Sequence, residues 1–124
     1  MNTLSRWLLF VAAVLLLFGA AMHTLAFPRT VTAATASNLP IFFSQSLKAL
    51  WLIDSVTLIV LGTAFALVAV RPALASGMML ALLALVPLGT AILLYAFLGS
   101  FIPAHLLLLA GALSFAAGVM RTSA

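Results

Sequence analysis

The sequence predicts an all-α integral membrane protein, a single domain over residues 1–124 built as a four-helix antiparallel transmembrane bundle. Three observations predict it. Hydrophobic residues make up 67% of the chain and charged residues 5%, whereas a soluble domain carries about 25% charged residues. A chain of this size keeps a large share of its surface exposed, so no water-soluble fold can hide that much apolar area. The apolar residues also fall into four segments, each long enough for the roughly 20 residues a spanning helix needs. Finally, Arg6, Arg29, Lys48, Arg71 and Arg121 are scattered between the apolar runs, as flanking charges are at membrane boundaries.

The first span is expected from about Leu4 to Phe27, ending at Phe27-Pro28-Arg29. Its start has the basic n-region and apolar stretch of a signal peptide, with small residues at Gly19-Ala20-Ala21. The apolar stretch continues through Phe27, which suits a span better. The segment from Pro28 to about Gln45 reads as the one sizeable loop, small and polar over Val31–Asn38, with Ile41-Phe42-Phe43 at the interface. The second span runs from about Ser46 to Val70 and stops at Arg71-Pro72. The third runs from about Ala73 to Leu98, with Pro87 expected to kink it and free a carbonyl. The Gly99–Pro103 break turns the chain into the fourth span, from about Pro103 to Met120.

Four spans place both termini and the second connection on one side. That side holds Arg6, Arg71 and Arg121, against Arg29 and Lys48 on the other. The bias puts both termini in the cytoplasm of a cell inner membrane. The scattered cations form no nucleic-acid footprint. With no Cys, thiolate sites and disulfides are excluded. Neither a phosphate loop nor an HExxH motif is present, and no cofactor is indicated.

Asp54 is the only acid, and it lies inside an apolar span. A carboxylate in hydrocarbon costs about 2.5–3.5 kcal/mol on insertion scales, so a partner, water or a proton must offset it. Burial and a nearby cation act oppositely on a carboxylate, which leaves a protonic role open. The four-span topology brings His23, Tyr95 and His105 to the same outer half as Asp54, roughly 3 to 12 Å below the interface. Lys48, Trp51 and Ser55 share one stripe of the second helix, with Asp54 on its flank. Lys48 suits an interfacial snorkel, and Trp51 either the aromatic belt or the wall of a pocket floored by Asp54. The two isolated histidines read most simply as residues near a headgroup boundary with structural partners only, then as a proton relay or hydrogen-bonding pair, and last as metal or haem ligands. Ala110, Ser114 and Gly118, like Gly62 and Ala66, have the small-xxx-small spacing of close helix packing, within the chain or in a homo-oligomer.

The size and four-span layout resemble those of the small multidrug resistance transporters and of DoxX-like four-span inner-membrane proteins. The former carry an essential glutamate in their first helix, a position with no acid here, so the resemblance implies no activity. The residues support three expectations. One is a polar outer-leaflet site that binds a small amphipathic ligand or docks a partner membrane protein. Another is proton-coupled transport of small lipophilic cations through Asp54. The last is an enzyme acting on a lipid-soluble substrate, using Asp54 and a histidine.

Overall fold

The computed structural model describes residues 1–122. Among them are four helices, α1 (Thr3–Ala36), α2 (Ile41–Val70), α3 (Gly77–Leu98) and α4 (Ile102–Thr122), a 3₁₀ turn at Pro72–Leu74, and no strand. All four α-helices are long and apolar enough to cross a membrane.

The expected loop from Pro28 to Gln45 is a correction. α1 continues through Pro28 to Ala36, α2 begins at Ile41, and only Ser37–Pro40 lies outside helix. Proline within a helix removes an N–H and crowds the preceding turn, at a cost of about 3 kcal/mol. Here the helix continues, and its polar hydroxyls are satisfied on its own backbone. Thr32 Oγ1 donates to the Pro28 carbonyl at 3.0 Å, and Thr35 Oγ1 to that of Val31 at 2.8 Å. The alanines between are strong helix formers. At the tip, the Ala34 carbonyl accepts from Ser37 Oγ at 2.7 Å and from Ser44 Oγ at 3.2 Å, which ties the end of α1 to the start of α2. The third span is also shorter than expected. Pro72–Leu74 forms the 3₁₀ turn, and Ser76 caps α3 by accepting from the Met79 amide. α3 then runs on through Pro87, which is buried.

The closest helix pairings are α1 with α2, α3 with α4, and α1 with α4. Small residues permit them. A Cβ on Gly62 of α2 would lie 2.8 Å from Leu17 of α1, and one on Gly118 of α4 would lie 2.8 Å from the backbone of both Gly77 and Ala81 in α3. Ala110, Ser114 and Gly118 are buried, so the small-residue stripe of α4 serves packing inside the chain. Leu9, Leu16, Phe65 and Leu80 fill the core between these contacts. Gly99 turns α3 into α4 with φ 75°, a conformation that favours glycine.

One end of the molecule is tied together by arginines. Arg6 Nε donates to the Ala69 carbonyl at 2.9 Å, supplying one of the partners that the end of α2 lacks. Arg121 donates to the Pro72 carbonyl at 2.6 Å. The start of α1 and the ends of α2 and α4 are therefore level. Because α1 and α2 have 34 and 30 residues and α3 and α4 have 22 and 21, the first hairpin overtops the second at the opposite end. At about 1.5 Å per residue the overhang is roughly 12–20 Å.

Candidate functional site

The carboxylate that the sequence marks as costly lies where α1 and α2 face each other, about a turn and a half below Pro28 on α1. His23 comes from α1; Trp51, Asp54 and Ser55 come from successive turns of α2. The i, i+3, i+4 spacing puts these three on one side of α2, and each touches His23.

Trp51 holds the histidine in two ways. Its indole stacks on the imidazole with ring centroids 4.1 Å apart and planes 13° from parallel. Its Nε1–H donates to the His23 carbonyl at 2.8 Å. That carbonyl neighbours the one on Thr24, whose usual amide partner is lost because residue 28 is proline. Ser55 Oγ lies 2.9 Å from His23 Nδ1 and also donates to the Trp51 carbonyl at 3.3 Å. Asp54 Oδ2 lies 3.5 Å from His23 Nε2. This ion pair is the only polar contact of Asp54 among the described residues.

Where the Ser55 hydroxyl hydrogen is on the Trp51 carbonyl, Ser55 accepts from Nδ1–H, and Nε2 faces a carboxylate oxygen at 3.5 Å. The Asp54 side chain is 36% exposed and that of His23 23%, so the pair is open on the Asp54 side. The order carboxylate, imidazole, hydroxyl matches a nucleophilic triad, but Ser55 is only 4% exposed and faces the helix pair. A nucleophile must meet its substrate, and this hydroxyl does not.

The other residues singled out from sequence lie elsewhere. Tyr95 and His105 meet across the α3–α4 turn, where the Tyr95 hydroxyl is 2.5 Å from His105 Nδ1 and Ser100 Oγ is 3.1 Å from Nε2. This group contains no acid and makes no hydrogen bond or ion pair with His23 or Asp54. The four polar groups expected at one level thus form two separate clusters, one per hairpin. Lys48 is half-buried on α2, two turns from Asp54, and forms no ion pair with it. Ser55 and Ser100, which complete the two clusters, were not among the expected site residues. Ser55 was legible as the residue one turn past Trp51 on the same stripe. Among the described residues, no group of three or more His, Cys, Asp or Glu side chains is placed to hold a metal ion.

Comparison with protein-family models, with curated proteins and with solved structures found no match. The functional reading therefore rests on the chemistry of the two clusters.

Proposed function

We propose that this is a four-span protein of the cell inner membrane, a helical antiparallel bundle with both termini cytoplasmic, whose Asp54–His23 cluster binds the polar head of a small amphipathic ligand in the outer leaflet. The arginine-tied end supports the orientation, since Arg6, Arg71 and Arg121 are the larger group of cations. α3 and α4 match the thickness of a hydrocarbon core of about 30 Å. With that slab level with the arginine end, Asp54 lies roughly 24 Å up α2 from Val70 and His23 roughly 30 Å up α1 from Thr3, both in the far leaflet.

One observation carries the ligand reading. Asp54 turns one oxygen to His23 and remains partly exposed beside apolar Leu50 and Ile53, which are themselves exposed. An ammonium or hydroxyl head satisfies the carboxylate, while its apolar tail stays in the bilayer along α2. Binding of dodecylamine to the purified protein in nanodiscs tests this. Saturable binding is expected, lost in Asp54→Leu and weaker for the trimethylammonium analogue, which has no N–H to donate. Equal binding to wild type and Asp54→Leu rejects the reading. Co-purification of a stoichiometric membrane protein in mild detergent, lost in the same variant, points instead to a docked partner.

The carboxylate of Asp54 beside the His23 imidazole supports a second reading, proton-coupled exchange of small lipophilic cations by an oligomer. Proteoliposomes with an imposed pH gradient distinguish it. Exchange requires gradient-driven flux that Asp54→Asn abolishes, whereas simple binding gives none.

A further inference from the structure

The arginine end carries a second site, of opposite charge. A groove of about 320 Å³ runs between the first turns of α1 and the last turn of α2, lined by Thr3, Arg6, Trp7, Phe10, Ala69 and Val70. We infer that it holds an anionic phospholipid, phosphate at Arg6 and acyl chain running inward along Phe10. The inference rests on the helices spanning a bilayer and is independent of any ligand at Asp54.

Arg6 is exposed, yet its bond to the Ala69 carbonyl uses only Nε. The guanidinium is held at the groove while its two terminal nitrogens, the pair that grips phosphate, make no hydrogen bond among the described residues. The positive end of the α1 dipole is met by the negative end of α2 in the same groove, so the charge there comes from the guanidinium. Arg71 directly follows Val70, and Arg121 is anchored nearby on the Pro72 carbonyl. No acid offsets these cations, because Asp54 lies roughly four turns up α2. The walls are apolar and graded in depth. Trp7 is 61% exposed, and its ring meets Phe10 edge-on at 6.0 Å, one turn deeper. An indole at headgroup level above a phenyl ring suits a lipid, with its charged head and apolar tails, better than a free anion.

The test is native mass spectrometry of the full chain released from nanodiscs containing equal phosphatidylglycerol and phosphatidylcholine. Retention of phosphatidylglycerol over phosphatidylcholine by about fivefold or more is expected, the factor that one cation at a membrane surface confers. Arg6→Gln should remove most of that preference, and Arg29→Gln, at the other end, should leave it intact. If Arg6→Gln fails to fold, Val70→Trp serves. It fills the groove from an exposed position without touching the Arg6–Ala69 bond, and it should lower retention likewise. Equal retention of the two lipids overturns the inference. So does unchanged preference in Val70→Trp, an equal loss in Arg29→Gln, or displacement of the lipid by millimolar inorganic phosphate.

Discussion

The two hairpins each hold a histidine near the same end of the molecule, and the histidines are bound differently. His105 lies in the first turn of α4, exposed, with both ring nitrogens on hydroxyls, Tyr95 before the turn and Ser100 within it. Its hydrogen-bonding capacity is met locally. His23 is gripped by the facing helix through a stacked indole, a hydroxyl and the only carboxylate in the chain. One cluster staples a turn; the other sets a carboxylate beside an imidazole at the edge of an apolar interior. What separates them is the acid, and the longer hairpin that brings α2 across it.

Packing offers the sharpest way to break the comparison. Gly118→Ala places a methyl 2.8 Å from two backbone atoms of α3, which cannot swing aside. It should destabilise the second hairpin by about 3 kcal/mol, the upper part of the overpacking range. Gly62→Ala meets the flexible Leu17 side chain first, at 2.8 Å, and should cost about 1 kcal/mol. Unfolding measured by steric trapping in bicelles checks both values, and a reversed order contradicts the packing described.

Trp51→Ala removes both the stack on His23 and the bond to its carbonyl. A loss of about 2 kcal/mol is expected from an aromatic contact plus one hydrogen bond, together with loss of amine binding at Asp54. Tyr95→Phe removes a single hydroxyl from the second cluster. It should cost about 1 kcal/mol and leave amine binding unchanged. If Tyr95→Phe weakens binding as much as Trp51→Ala does, the two clusters act as one site and the contrast fails.

Much of this difference was legible in the sequence, and the reasons for the rest are physical. Apolar length alone marked four helices, and a lone acid at Asp54 marked the costly position. Counting turns put His23, Asp54, Tyr95 and His105 in the outer half of the bundle. Counting could not separate them into pairs, because that depends on which helices face each other. Pro28 misled for a definite reason. Phe27-Pro28-Arg29 followed by a small, polar run reads as the end of a span, but the alanines favour helix, Thr32 and Thr35 return their hydroxyls to the backbone, and Ser37 and Ser44 share the Ala34 carbonyl. The result is the overhanging hairpin, with its tip tied at the Ala34 carbonyl. Slow amide exchange over residues 30–36 is the expected sign of it, whereas exchange at the rate of an open loop contradicts it. An effect of opposite sign is expected for Pro28→Ala, which restores an N–H for the Thr24 carbonyl at an exposed position. It should stabilise α1 by about 1 kcal/mol, less than the full helix-interior penalty of proline because the surroundings have already adapted.

The central claim is that Asp54 and His23, clamped by Trp51, form one ligand-responsive unit. Trp51 is itself the probe, because Trp7 is the only other tryptophan and Trp7→Phe removes its signal. In that background the emission of Trp51, stacked on the imidazole, should change saturably as dodecylamine is added in nanodiscs. The change should disappear in Asp54→Leu and persist in Tyr95→Phe. A Trp51 signal that does not respond, or one that responds equally after Asp54→Leu, contradicts the account.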